Sequence, residues 1–230
     1  MTTEQALDEA IGDSDVIRIH YHRHRSDPED PFGNNATEHR WESTYGDAST
    51  AAGGSSRLAP TTVFDGERMH LGTSSTSSSL TNDYSTSLSV DRHSFNGSIR
   101  LSVDDIEDET GFFQFSWNMS EARDPDTEGT SALILTPWLL FVEDSASFPE
   151  GSNGVGDYLH VLHDAVELNA LEGTASALVP VAWDGDDVSV ILLIDWTDRG
   201  PRACCALPGP GFAAVLLCFL AALLPSRRER

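Results

Sequence analysis

The sequence predicts a mainly β domain, either β-sandwich-like or α+β, from two kinds of pattern. Apolar and polar residues alternate over several short segments, which is the period of a half-buried strand. Polar turn sequences separate these segments, and no longer unit repeats along the chain. The main helical exception is an amphipathic helix near 157–171. An order of strands, one helix and a terminal hairpin favours these two fold classes.

The chain begins with a predicted short helix over 1–12. Thr2 and Gln5 have the spacing of a capping box, and Gly12 is a stop signal for the helix. This segment lacks the basic and apolar regions of a secretory signal peptide.

Residues 15–25 predict a half-buried strand because apolar and polar side chains alternate there. The polar side is expected to face solvent, so His22→Ala is expected to leave stability unchanged. The inward face is predicted to carry Ile17, Ile19 and Tyr21, and the outward face His20, His22 and His24.

Three β-hairpins are predicted further along the chain. Asp65-Gly66 is a typical tight-turn dipeptide, and the acidic segment 184–187 is expected to turn the last hairpin. That last hairpin is predicted to be central because 190–194 is uniformly apolar. The predicted pairs are 61–64 with 68–71, 98–103 with 111–117, and 177–183 with 188–196.

Other segments give less regular patterns. Residues 72–89 are rich in Ser and Thr, which is typical of a linker, although the second half also fits a solvated strand. The apolar run 132–142 predicts a strand buried on both faces, in which Pro137 requires an edge position, a bend or a break. A further short strand is predicted around 41–45.

The predicted helix near 157–171 is based on apolar residues at roughly helical spacing, with Gly173 as its C-terminal signal. The residues that give this spacing are Leu159, Leu162, Ala165, Val166 and Leu168.

The charge of the chain indicates a halophilic origin. It has 37 acidic and 14 basic residues, for a net charge of -23, and every basic residue is arginine. Dense carboxylates retain water and cations in multimolar salt, which also screens their mutual repulsion. Hydrophobic content of 39% argues against disorder throughout. Nucleic acid is disfavoured as a partner because clustered positive charge is missing outside the termini.

The C-terminal segment has three parts. Pro210, Gly211 and Phe212 precede the apolar run 213–224, and 226–230 is basic. This pattern resembles the PGF-CTERM archaeosortase sorting signal of haloarchaeal surface proteins. The resemblance implies transient recognition by an archaeosortase at the membrane, cleavage near the motif and replacement of the segment by a lipid anchor.

The length of the apolar segment is consistent with a transient signal. The 13 residues of 212–224 span ~20 Å as a helix, whereas the hydrocarbon core is ~30 Å thick. The predicted organisation is a β-rich domain over 13–197, a linker with the sorting motif over 198–211, and a membrane-associated segment over 212–230.

Candidate chemical sites are few. His20, His22 and His24 are weak metal candidates, because i and i+2 side chains lie about 6.5–7 Å apart on one strand face. No bound metal, other cofactor or catalytic residue is expected, since nucleophile-elbow, P-loop and dinucleotide motifs are missing. Three Asn-x-Ser/Thr sequences make Asn35, Asn96 and Asn118 candidate glycosylation sites on an exported chain.

The leading functional expectation is therefore a non-catalytic haloarchaeal cell-surface or envelope glycoprotein, with its body outside the membrane. The first alternative is a metal-dependent enzyme or binding protein that uses the histidine-rich strand. The second is a cytoplasmic protein anchored in the membrane by its C-terminus, suggested by the residues at 1–12. Oligomeric state does not follow from the sequence.

The acidic composition predicts salt-dependent folding. The Debye length grows from ~3 Å at 1 M salt to ~10 Å at 0.1 M, so carboxylate repulsion strengthens as salt is removed. We expect the body to unfold as salt falls toward tenths of molar, as measured by circular dichroism. A spectrum that is unchanged between 3 M and 0.1 M salt would contradict the halophilic interpretation.

Overall fold

The computed structural model describes residues 2–25, 30–90, 97–105, 111–121, 133–151, 154–185 and 187–198. This part of the chain is mainly β, with antiparallel strands in three sheets and three helices. The helices are α1 (Thr3–Ile11), α2 (Asn35–Gly53) and α3 (Leu80–Ser89). The strands are β1 (Thr61–Phe64), β2 (Arg68–Leu71), β3 (Arg100–Asp105), β4 (Phe112–Asn118), β5 (Leu133–Phe148), β6 (Gly156–Glu167), β7 (Glu172–Leu178) and β8 (Val188–Asp198).

Strand β5 lies at the centre of a three-stranded sheet, between β6 and β8. Its alternate residues enter two different apolar clusters. Leu139 and Phe141 pack on one face, whereas Trp138, Leu140 and Val142 pack on the other. The prediction that the apolar run is buried on both faces is confirmed for 138–142, whereas Ile134 is 43% exposed.

Pro137 occupies the central strand, so the predicted edge position, bend or break at this residue is wrong. The backbone N–H of Leu168 donates to Pro137 O (2.9 Å), one residue beyond the end of β6. The nitrogen and carbonyl of a strand residue point to the same side. The missing N–H of Pro137 therefore faces the end of the β5–β6 ladder, and no bond to β8 is lost.

A second three-stranded sheet has the order β3–β4–β7. The predicted hairpin of its first two strands is confirmed, with Leu101 opposite Trp117. Phe115 and Trp117 are buried in the same apolar cluster as Leu139 and Phe141. The two three-stranded sheets therefore pack against each other through β4 and β5.

The predicted hairpin of 177–183 with 188–196 is wrong, because β7 pairs with β4 and β8 pairs with β5. The intervening turn is held by β5 instead. Ser147 N–H donates to Asp184 Oδ2 (2.7 Å) and Ser145 N–H donates to Asp187 Oδ2 (3.1 Å). The chain thus crosses from one sheet to the other, and β8 is at an edge of its sheet rather than at the centre.

The predicted amphipathic helix near 157–171 is also wrong, since β6 occupies this region. Phe141 is opposite Asp164 whereas Val142 is opposite Leu162, so His163 is an extra residue in a β-bulge. The extra residue places Leu162 and Ala165 in the same cluster at a spacing of three. A bulged strand therefore produced the spacing that indicated a helix.

Two further segments predicted as strands are helices. The segment 41–45 belongs to α2, which begins after the N-cap Asn34 and ends at Gly54, in the left-handed conformation. The second half of 72–89 forms α3, whose N-cap is Ser79. Hydroxyl-rich composition concealed both helices, because Ser and Thr also favour turns and strands.

The predictions at the N-terminus and the first hairpin are confirmed. Helix α1 has the reciprocal Thr2–Gln5 capping box, and β1 pairs with β2. The turn between these strands places Asp65 and Gly66 at positive φ (51° and 73°). A small core joins α1, β1 and α3 through Ala6, Phe64, Leu80 and Tyr84.

Residues 15–25 run along the outer edge of β6, but they contribute only an isolated parallel bridge between His20 and Val161. Ile19 and Tyr21 pack inward as predicted, against the cluster around Trp138. Ile17 does not, since it is 74% exposed. The strand predicted over this segment is therefore wrong. Within the described ranges, no helix is long and apolar enough to cross a membrane.

Candidate ligand-binding groove

A groove of about 1560 Å³ lies between the helices and the β8 side of the central sheet. Its walls are formed by α1, residues 15–21, α2, the β1–β2 hairpin and β8. The volume exceeds the ~300–1,000 Å³ of most small-molecule pockets. The groove is thus larger than most small-molecule ligands require.

An ion pair between Arg40 and Asp195 lies at the floor of the groove. Arg40 Nη1 is 2.7 Å from Asp195 Oδ2, and Nη2 donates to Oδ1 at 2.9 Å. The fully buried guanidinium also lies 4.6 Å from the centre of the Trp138 ring and donates to Thr44, one helical turn away. Burial raises the pKa of Asp195, and the charge of Arg40 opposes that shift.

A second buried arginine, Arg57, lies beside the first. Its guanidinium is 4.4 Å from the centre of the Trp41 ring, and Nη2 donates to the backbone oxygen of Tyr21 (3.1 Å). Its Nε is 3.6 Å from Oε1 of Glu38, which also accepts the His24 N–H through Oε2 (3.0 Å). Burial lowers the pKa of Arg57, and the charge of Glu38 opposes this shift.

Several donors in the lining have no hydrogen-bond partner among the residues that the structure describes. They include Nε of Arg40, Nε of Arg57 and the indole Nε1 of Trp41. A buried donor left unpaired costs ~1–3 kcal/mol. Acceptor atoms that reach these groups from a ligand or from water would recover part of that free energy.

The three strand histidines do not converge. His20 makes an edge contact with His160, His22 Nδ1 lies 2.8 Å from Asp30 Oδ2, and His24 Nδ1 lies 3.1 Å from the Gly33 oxygen. No group of three or more candidate metal ligands exists in the described ranges.

The prediction of a solvent-facing histidine side is wrong for two of its members. The side chains of His20 and His22 are only 26% and 12% exposed. His22 also packs edge-on against Phe32 and Tyr158. We therefore expect His22→Ala to lose stability, contrary to the sequence-based expectation.

The candidate glycosylation sites occupy different places. Asn35 is exposed at the start of α2, and Asn118 is exposed at the end of β4, where its Nδ2 donates to Glu172 (3.1 Å). Asn96 and the sorting residues Pro210, Gly211 and Phe212 lie outside the described residues.

Sequence reasoning missed a second polar cluster, around Glu143 in β5. This fully buried carboxylate accepts the backbone N–H groups of Trp183 (2.9 Å) and Asp184 (3.1 Å), and it contacts His163 Nε2. The arrangement holds the turn before β8. A single carboxylate next to an apolar run was the available signal, both for Glu143 and for Asp195.

The ion pair at the floor predicts that removal of one partner lowers stability far more than removal of both. Arg40→Met leaves the Asp195 carboxylate buried without its cation, which costs ~3–5 kcal/mol. The double variant Arg40→Met/Asp195→Leu should recover most of that loss, as measured by urea denaturation at high salt. Arg18→Met is the control, because its pair with Asp8 is partly exposed and should contribute under ~1 kcal/mol. Equal losses for Arg40→Met and Arg18→Met would contradict the role of the floor.

Buried His20 predicts a loss of stability in mild acid. Burial, followed by the nearby His160 and His22, lowers the pKa of His20 from 6.5 to about 4. The unfolded chain therefore binds a proton between these values and the folded chain does not. The contribution of neutral His20 to the free energy of unfolding is therefore complete above pH 6.5. It declines by about 3 kcal/mol as pH falls to 4.

The test is the free energy of unfolding between pH 7.5 and 4.5. His20→Gln should flatten its pH dependence, whereas His39→Gln, at an exposed position of α2, should leave it unchanged. A wild-type slope in His20→Gln would show that other groups are responsible.

Comparison with known proteins does not place the chain in a family. No protein-family model matches it, and no curated protein or solved structure is detectably similar to it. Its function is therefore argued from its own residues and geometry.

Proposed function

We propose that this chain is a haloarchaeal cell-surface or envelope protein, anchored through its C-terminal segment, whose body acts by binding and not by catalysis. The observation that carries the proposal is the three-part C-terminal sequence. Pro210, Gly211 and Phe212 are followed by the apolar run 213–224 and by a basic terminus. The resemblance to an archaeosortase signal supplies the route to the surface.

The arrangement of the body supports presentation of the groove near the anchor. The last described strand, β8, ends at Asp198, 12 residues before Pro210. The same strand lines the groove over 191–197. A ligand in the groove would therefore lie beside the part of the chain that leads to the membrane.

The ionisable groups of the groove favour binding over acid–base chemistry. Arg40 pairs with Asp195, and Arg57 lies beside Glu38. The pKa of His20 is lowered to about 4 by burial and by its neighbours. A general acid or base works best with a pKa near the operating pH. These groups are better suited to fixing the shape and polarity of a binding surface.

The acidic composition supports a location in concentrated salt. A net charge of -23 over 230 residues repels itself unless salt screens it. The exposed positions of Asn35 and Asn118 also suit glycosylation outside the cell.

The proposal predicts that processing depends on the sorting residues. Replacing Pro210, Gly211 and Phe212 with alanine should leave an unprocessed, higher-mass species in membranes, detected by mass spectrometry. The control replaces 199–201, another segment with one Gly and one Pro, and should be processed normally. Wild-type protein that is intact through Arg230 would mean a permanently anchored chain.

Surface exposure is tested separately, on intact cells. Arg227, Arg228 and Arg230 should remain cytoplasmic, which places the body outside. External protease should then remove the body. Complete protection of the body in intact cells, with digestion after lysis, would exclude the surface location.

A further inference from the structure

Strand β8 borders the groove with its backbone edge. Seven consecutive residues, 191–197, line the cavity. Successive side chains of a strand point to opposite faces, so a cavity against one face would be lined by alternate residues only. Lining by consecutive residues shows that the cavity reaches the edge of the strand, and Thr136 and Trp138 extend it over one face of the sheet.

The backbone groups at this edge point away from β5. Among the described strands, β8 pairs only with β5. Asp144 N–H donates to Asp187 O (3.3 Å) just before β8 begins. Continued alternation turns the N–H and C=O groups of Val190, Leu192 and Ile194 outward. Half-buried backbone groups of this kind require partners.

Most of the edge lacks the sequence features that usually prevent strand pairing. Residues 188–194 include no charged residue, proline or glycine. Natural edge strands are generally protected by such residues, by bulges or by shortness. With 11 residues, β8 is a long strand for an edge. Its sequence is suited to accepting another strand.

The shape of the groove selects a single strand as the occupant. The seven lining residues span about 23 Å of extended chain. Helix α1 and the turn at 65–67 also line the groove. A second copy of this protein would bring its neighbouring strands with it, and these would meet the other elements that line the groove. A single extended segment brings no such neighbours.

The charges of the groove favour a basic segment. Its arginines are already paired within the body: Arg18 with Asp8, Arg40 with Asp195 and Arg57 with Glu38. Glu4 and Asp15 line the groove as additional carboxylates. Complementary potentials raise both the rate and the specificity of association.

We propose that the outer edge of β8 binds an extended peptide as an added strand, and that the peptide carries basic side chains. Backbone hydrogen bonds to Leu192 and Ile194 supply affinity, and the groove carboxylates select the cationic side chains. The site belongs to the body alone, so it does not depend on where the C-terminal segment takes the protein.

The probe is a fluorescent seven-residue peptide in which valine alternates with arginine. Its anisotropy is measured with the full-length chain in detergent, at the lowest salt that keeps the chain folded. The same peptide with glutamate in place of arginine should bind at least about tenfold more weakly, which is ~1.4 kcal/mol. Equal binding of the two peptides would overturn the charge selection.

Backbone methylation of the peptide tests the added strand directly. Only alternate residues of a strand direct their N–H groups toward a given neighbour. N-methylation of one alternate set should weaken binding at least about tenfold, and methylation of the other set should have little effect. Equal effects of the two patterns would overturn strand addition, and this test requires no variant of the protein.

A pair of variants at one position tests the same contact from the protein side. Ile194→Pro removes an outward N–H without removing a bond to β5, and proline is tolerated at strand edges. Ile194→Ala is the matched control, because it shortens the side chain and keeps the N–H. With both variants folded by circular dichroism, only Ile194→Pro should lose binding. Full binding by Ile194→Pro would overturn the proposal.

Discussion

The burial of β5 on both faces is the constraint on which the rest of this structure depends. Its apolar side chains enter two separate cores, so both faces of its sheet must be covered. Its backbone must also be satisfied along its length, because an unpaired buried peptide group costs free energy. Strands β6 and β8 meet the second requirement. The sheet β3–β4–β7 covers one face, and α2 with residues 15–25 covers the other.

The two layers that cover the sheet differ in chemistry. Aromatic rings of β4 fill the space above Leu139 and Phe141. On the other face, Arg40 enters from α2 and stacks over Trp138, with Asp195 as its counter-ion. The groove lies on the face that carries this ion pair. Salt screens exposed charges far more than buried ones, so this floor is expected to persist in concentrated salt.

Elements that follow from local signals were predictable from sequence, and elements that depend on distant contacts were not. Helix α1 contains its own cap, the hairpin β1–β2 contains its own turn, and β3 pairs with the next strand along the chain. The bulge at His163 and the crossing from β7 to β8 depend on pairing with β5 and β4. The candidate site could not be predicted from local signals, because Arg40 and Asp195 are 155 positions apart. Alternation correctly placed Ile19 and Tyr21 inward, but it could not show that the opposite side would also be covered.

The apolar edge of β8 also has to be reconciled with the acidic surface of this chain. Net charge limits association in dilute salt because like-charged chains repel each other. At 1 M salt the range of this repulsion contracts to ~3 Å, less than the ~4.8 Å between paired strands. Charge repulsion alone then gives an exposed edge little protection against strand pairing. Placing the edge inside a walled groove replaces electrostatic protection with steric protection. A second sheet would meet the other elements that line the groove, whereas a single extended segment would bring no neighbouring strands. The feature that limits aggregation therefore also favours a single strand as the ligand.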